Sequence, residues 1–498
     1  MKPAILAIDQ GTTSTRAIVF DAGMEVVATS QQDLRQIYPA NGWVEHDAEE
    51  IWQATVQTTR AALAEAADKG FAAQALGITN QRETVVVWDR ETGKPIHNAI
   101  VWQDRRTAQH CERLRANGAE ETIAERTGLL VDPYFSATKI AWLLDHVDGA
   151  RAAAEQGRLA CGTIDSFLLC RLTGGEVHAT DVTNASRTSL FNIRTMAWDD
   201  DLLALFDIPA SLLPEVRDCD AEFGMARLEG SEKPLPIRGI AGDQQSALIG
   251  QQCFARGEGK ATYGTGGFIL LNTGDEIVRS QHRLISTVAY RLGGELAYAL
   301  EGSIFIAGAG MQWLRDNMGL MDDSAKSEEM ARSLDQGTDI TFVPALTGLG
   351  APHWLPDARG SIFGISRATG PADIAAAMLE SVAYQTADLT DAMASDGRTA
   401  KAMRVDGGMA RNGWMCQFLA DILDVPIERP GNLETTAVGA AYIAGRAIGL
   451  IDPAIRLSAV GDSGARFTPQ MDRATRETKL ARWQRAVAAT KAFSEDAR

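Results

Sequence analysis

Two stretches of this chain, about half its length apart, are written in the same grammar. AILAIDQGTTSTRAIVFD (residues 4–21) sets a Gly-Thr-Thr-Ser turn between two apolar runs, and KATYGTGGFILLNTG (260–274) sets a Gly-Thr-Gly-Gly turn between two more. Each reads as a β-hairpin, since apolar runs on either side of a glycine-bearing turn signal paired antiparallel strands. One hairpin constrains little. Two, each opening a half of a 498-residue chain, fit a duplicated unit as well as two unrelated hairpins that look alike, and this length exceeds what one hydrophobic core supports. If the units face each other, both turns reach one cleft.

The runs AILAID, TRAIVF, ALGIT and TVVVWD alternate with helix-like segments such as 47–68, whose apolar positions recur every three or four residues. This is α/β organisation. Prolines and glycines interrupt the pattern over 209–240, and the strand-turn-strand theme restarts beyond them. The expected boundary lies near residue 246, giving an N-terminal domain 1–246 and a C-terminal domain 247–498. The second half shows a long helical pattern from Asp373 to Ser395, a strand-turn-helix at KAMRVDGGMARNGWMCQFLADIL and a helix-like stretch at 473–493.

A net charge of −17 argues against nucleic acid and anionic lipid as partners, so an anionic ligand must be captured locally. Six cysteines form no CxxC pair and no apolar run reaches membrane-spanning length, so membrane insertion is not expected and a reducing cytoplasm is. The start, MKPAILAIDQGTT, meets an aspartate too soon for a signal peptide and reads as a first strand. The seven histidines show no HxxxH spacing and none is assigned to a metal.

Neither GxxxxGK[ST] nor a strand-to-helix GxGxxG occurs. The turn in DQGTTSTR leads instead into a strand, so backbone N–H groups and the hydroxyls of Thr12, Thr13 and Ser14 would hold phosphate oxygens as a nest, with Arg16 adding charge. Asp9, just before the turn, suits Mg²⁺, a hard cation held by one or two carboxylates, water and phosphate. Gly264, Thr265, Gly266 and Gly267 offer a second turn with little bulk to keep a phosphate away. In VDGGMARN (405–412) a glycine pair after a strand would let a flat ligand lie on the backbone. Read singly, each is also an ordinary structural turn. Their combination points to a nucleotide.

Together these stretches resemble the ATP fold of actin and the sugar kinases, and within it the FGGY family of carbohydrate kinases. YFSATKIAWLLDH (134–146) and GSIFGISRATGPADIAAAMLE (360–380) are similar to that family's signature segments, and the resemblance runs from Ala4 to about residue 450. It implies two duplicated ribonuclease-H-like, actin-like ATPase domains facing each other across a catalytic cleft. ITNQRETVVVWD (78–89), IVWQDRR (100–106) and GDQQSALIGQ (242–251) are similar to the substrate segments of members that phosphorylate glycerol. The resemblance then implies glycerol contacts from Arg82, Glu83, Tyr134, Asp243 and Gln244, with Trp102 and Phe268 as apolar walls. It implies ATP/ADP contacts from Thr12, Thr13, Ser14, Arg16, Thr265, Gly308, Gln312, Gly408 and Asn412. It also implies Mg²⁺ at Asp9 with Asp243 nearby, and a homo-oligomer, dimer or tetramer.

The chemistry asks for these residue types. A small polyol needs hydrogen-bonding groups on one edge and an apolar wall on the other. Arg82 and Glu83 are adjacent, and neighbours on a strand point to opposite faces, so the strand is expected to end or bend there. Phosphoryl transfer needs a carboxylate to take the hydroxyl proton, and Asp243 is the choice, where an apolar strand reaches a glycine, then aspartate, then a helix-like run. An N-cap fits the same position. The expected reaction is direct attack of a terminal hydroxyl on the γ-phosphate, giving sn-glycerol 3-phosphate and ADP, under lobes that close to exclude water. The loop ARLEGSEKPLPIRG (226–239) has no histidine and lacks the glycine-rich basic pattern of a sugar-bisphosphate effector site. Regulation by those routes is not expected. The alternatives are a kinase for another polyol or a ketopentose, and a non-enzymatic actin-like nucleotide switch.

Overall fold

The structure, a computed structural model, describes residues 1–228, 231, 233–334, 337–355, 357–455, 457 and 464–495. Three positions of the 226–239 loop, Glu229, Gly230 and Glu232, therefore lie outside the described residues.

The first sheet is built around the strand Lys2–Gln10, whose last seven residues are all buried. A nearly unbroken apolar run is what a strand covered on both faces requires. It pairs antiparallel with Ser14–Asp21, which pairs with Val26–Asp33, and on its other edge runs parallel to Phe71–Asn80. Phe71–Asn80 is in turn parallel to Leu235–Gly242. The second sheet repeats the plan. Glu258–Tyr263 pairs antiparallel with Gly267–Gly274 and parallel with Ala402–Asp406, which runs parallel to Ile427–Arg429. The repeated hairpins thus occupy equivalent places in two sheets. A smaller sheet orders Glu45–His46, Ala99–Ile100, Val85–Asp89 and Leu159–Thr163, and carries the loop that bears Trp102.

Helix Ala48–Asp68 covers the first sheet with Ile51, Ala54, Ala62 and Leu63, and Asp47 caps it by accepting from the N–H groups of Glu49 and Glu50. Helix Pro371–Ser395 fills the core of the second half. Helix Thr435–Ala447 crosses back and packs on the first sheet and on helix Asp243–Gly250. Its approach is close enough to need glycine: a Cβ on Gly439 would sit 1.9 Å from the Ser246 carbonyl oxygen. The carboxyl ends of the parallel strands, Asn80, Gly242 and Asp406, lead directly into Arg82, Asp243 and Gly407–Gly408. In open α/β sheets, that end is where ligands bind.

Candidate functional site

The strand Phe71–Asn80 ends before Arg82, and Glu83 adopts a left-handed backbone with φ 59°. That break lets two neighbouring side chains enter one buried network, as the sequence pattern requires. Arg82 is clamped by Glu301, donating from Nη1 to Oε2 at 2.6 Å and from Nη2 to Oε1 at 3.0 Å. Its Nε lies 3.1 Å from Asp243 Oδ1, and Nη2 donates to the Tyr134 hydroxyl at 3.4 Å. Glu83 accepts from Arg187 Nε at 2.6 Å.

Both carboxylates are buried, yet they differ. Burial pushes the Glu301 carboxyl up, but two arginines outweigh it and hold it down at about 2. For Glu83 burial wins, and its carboxyl is raised despite Arg187 and Arg82. The difference follows from bonding, since Glu301 accepts from both guanidinium groups and Glu83 from Arg187 alone.

Aromatic walls stand beside this polar edge. The Trp102 ring meets Tyr134 edge-on at 5.6 Å and Phe268 at 6.0 Å, and the Arg82 guanidinium lies 6.0 Å from the Phe268 ring centre. Trp102 also donates from its indole N–H to the Thr12 hydroxyl at 2.9 Å. Phe268 is the second residue of the strand that leaves the Gly264–Gly266 turn. One indole therefore touches the first turn and the strand of the second, which places both turns beside the same aromatic wall.

In the first turn, Gly11 N–H donates to the Ser14 carbonyl at 2.9 Å; Thr13 is exposed, Thr12 half-buried and Ser14 buried. In the second, Gly264 and Thr265 are exposed. Gly308 opens helix Gly308–Asp316 and donates to the Gly264 carbonyl at 2.9 Å, while Ala309 donates to the Thr265 carbonyl at 3.0 Å. Gly407 takes φ 86°, and a Cβ there would lie 2.5 Å from the Tyr263 carbonyl oxygen, so the glycine pair is pressed onto the second turn. Gly408 beside it faces open space. Gln312 is exposed one turn along from Gly308. Thr265, Gly308 and Gly408 are thus brought together.

Other residues do more than the sequence suggests. Arg16 is paired with Glu434 and lies 3.3 Å from Asp9, so its charge is already engaged. Asn412 caps helix Gly413–Leu423 by accepting from Met415 N–H at 2.9 Å. Asp243 is not an N-cap. Gly242 takes that position with extended backbone, and Asp243 is the first helical residue, its side chain 29% exposed. Gln244 accepts from the buried Lys260 ammonium, which also donates to Thr262 Oγ1 at 2.8 Å. Burial lowers Lys260 to about 8, opposed by the charges of Asp406 and Asp243.

Asp9 is buried, and desolvation raises its carboxyl to about 6, with Arg16 lowering it and Glu434 and Asp243 raising it further. Carboxylates that repel one another in a dry site are short of positive charge. Among the described residues no group of three or more His, Cys, Asp or Glu side chains forms a metal cage. One or two carboxylates beside the two glycine-threonine turns fit a Mg²⁺ ion of the kind that keeps waters and phosphate oxygens as ligands.

Glu301, Arg187, Lys260 and Glu434 are site residues that the motifs did not reveal. Glu301 carried a signal, as a charge within the apolar part of the strand ELAYALEGSI, whose other glutamate, Glu295, is its exposed first residue.

Residues 4–250 match the model of the FGGY family of carbohydrate kinases, N-terminal domain, and 259–448 match its C-terminal domain. The chain belongs to the FGGY family of carbohydrate kinases. This FGGY chain is 57% identical to the glycerol kinase of Rhodospirillum centenum over 495 residues, 99% of both chains. It is similar to the crystal structure of Plasmodium falciparum glycerol kinase with ADP, with TM-score 0.91, 38% identity and 98% of each chain covered. The ligand-bound xylulose kinase of Lactobacillus acidophilus shares the fold, with TM-score 0.85, 22% identity and 100% of each chain covered. The FGGY fold here is the two-domain actin-like ATPase fold of the sugar kinases.

Proposed function

We propose that this FGGY kinase transfers the γ-phosphate of ATP to a terminal hydroxyl of glycerol, releasing ADP and sn-glycerol 3-phosphate. The reading takes 1–246 and 247–498 as the two domains, with the cleft between them. The observation that carries it is Asp243 Oδ1 held 3.1 Å from Arg82 Nε, at the end of a parallel strand. That pair sets a carboxylate proton acceptor beside a guanidinium N–H donor, next to the ring of Phe268 and the ring and hydroxyl of Tyr134. A three-carbon polyol fits such an edge and wall.

Asp243 accepts the proton as the hydroxyl attacks, and Arg82, Glu83, Tyr134 and Gln244 orient the polyol. The N–H groups and hydroxyls of Thr12, Thr13 and Ser14, with Thr265 opposite, hold the triphosphate, and Gly308, Gln312, Gly408 and Asn412 border the nucleoside. Asp9 would hold Mg²⁺, which neutralises charge on the phosphates when bound. Direct transfer needs no phosphorylated side chain.

The test is ADP release with glycerol, dihydroxyacetone, xylulose, ribulose and erythritol in turn. Turnover of glycerol far above the pentuloses supports the reading. Turnover of a pentulose with none of glycerol overturns it.

A further inference from the structure

An unusual ion chain underlies the polyol edge. Asp243, Arg82, Glu301, Arg187 and Glu83 follow one another as alternating charges, each touching the next. All but Asp243 are buried, with Glu301 and Glu83 at 1% exposure and the Arg187 side chain at 0%. Arg187 is further fixed between rings, its guanidinium 5.4 Å from Phe135 and 5.8 Å from Tyr134. Arg82, Arg187 and Glu83 belong to the first half. Glu301 belongs to the second, on strand Glu295–Ile304, opposite Leu270 of the strand that follows the second phosphate turn.

A buried ion pair is a weak source of stability, because desolvation cancels most of the attraction, and apolar replacements of similar volume often do as well. Two buried arginines on one carboxylate therefore call for another reason. The geometry supplies it. A guanidinium held through both terminal nitrogens by a carboxylate fork has its plane fixed. With Glu301 across Nη1 and Nη2, the Nε–H of Arg82 can point only toward Asp243, and the remaining Nη2 hydrogen toward Tyr134.

We propose that Glu301 is a positioning residue for the polyol site: reaching from the second half, it holds the Arg82 guanidinium so that its Nε–H and outer Nη2 hydrogen, the two that face Asp243 and Tyr134, are presented to the substrate hydroxyls at one fixed angle. Arg187 secures Glu301 in turn. The inference rests on the glycerol reading above, and it assigns hydroxyl discrimination to a residue that touches no substrate.

The experiment compares wild type with Glu301→Gln on glycerol, propane-1,2-diol and propane-1,3-diol, with KM for ATP measured alongside. The diols each lack one hydroxyl. A site that reads a hydroxyl with a fixed charged donor penalises its absence heavily. In Glu301→Gln, kcat/KM for glycerol falls about tenfold or more, while the diol that lacks the hydroxyl read by Arg82 loses much less. The glycerol-to-diol ratio then collapses for at least one diol, and KM for ATP stays put. Glu301→Asp keeps the charge on a shorter arm and restores part of the ratio; it carries the test should the glutamine variant not fold. Parallel losses on all three substrates, with both ratios unchanged, overturn the inference. Wild-type enzyme that ignores glycerol overturns the underlying reading instead, so the two failures are distinct.

Discussion

The indole N–H of Trp102 donates to the hydroxyl of Thr12 across 2.9 Å, fastening the aromatic wall of the proposed polyol pocket to the first glycine-threonine turn. The same ring touches Tyr134 and Phe268 edge-on. Trp102→Phe keeps an aromatic ring in the wall and removes the donor with the smaller ring that carries it. One neutral hydrogen bond contributes about 1 kcal/mol, so KM for ATP and KM for glycerol should both rise roughly fivefold. Steady-state kinetics with each substrate varied in turn checks this. A change confined to glycerol would mean that the bond does not link the two sites.

Asp243→Asn keeps the size of the side chain and removes its basicity. The amide can still accept from Gln244 N–H, a bond of 2.7 Å in the native protein, and can still face Arg82. Binding of ATP, followed by calorimetry, should therefore change little, while kcat drops by roughly 10²-fold or more, the range for a lost general base. Near-normal turnover would shift the role to another carboxylate, such as Asp9, on which the charge of Asp243 acts.

Much of this arrangement was legible in the sequence because it is local. Hairpins at 4–21 and 260–274 declare themselves by a turn between apolar runs, and the bend at Arg82–Glu83 follows from two neighbours needed in one pocket. What the sequence hides is long-range. Glu301 stands out as a charge in a strand buried on both faces, but nothing local says that its partners are Arg82 and Arg187. Arg187 lies in VTNASRTSL, a stretch without a clear period. The return of helix Thr435–Ala447 to the first sheet is hidden for the same reason, and so is Glu434 reaching Arg16. Asp243 shows a local limit: Gly242 takes the cap because its extended backbone ends the strand and starts the helix at once.

Two histidines, His46 buried and His178 half-buried, make stability depend on pH. Burial holds His46 and His178 at about 4, below the ordinary value of 6.5. Both are neutral in the native protein above that point, whereas the unfolded chain takes up protons below pH 6.5. Unfolding therefore becomes easier as pH falls from about 6.5 to 4, by up to about 1.4 kcal/mol per pH unit for each histidine. His46 bonds through Nδ1 with the Gln81 amide at 3.3 Å, and its Nε2 has no hydrogen-bond partner among the described residues. His46→Gln should remove about half of this slope, as read from urea midpoints at pH 7, 6 and 5. An unchanged slope would show that His46 is solvated in the native state.

Gly439 sets two general expectations against each other. Inside an exposed helix, Gly→Ala stabilises by about 1 kcal/mol through helix propensity. In helix Thr435–Ala447 the added Cβ would lie 1.9 Å from the Ser246 carbonyl oxygen and 2.6 Å from its carbon, both backbone atoms that cannot turn aside. Overpacking of that kind costs about 3 kcal/mol and outweighs the propensity gain. The cost also reaches the site, because Thr435 at the start of this helix donates to Asp406, and Glu434 before it pairs with Arg16. Gly439→Ala should thus lower the urea midpoint and raise KM for ATP together. A variant as stable as wild type would mean that helices Asp243–Gly250 and Thr435–Ala447 can move apart without loss, contrary to the close packing that joins the two halves.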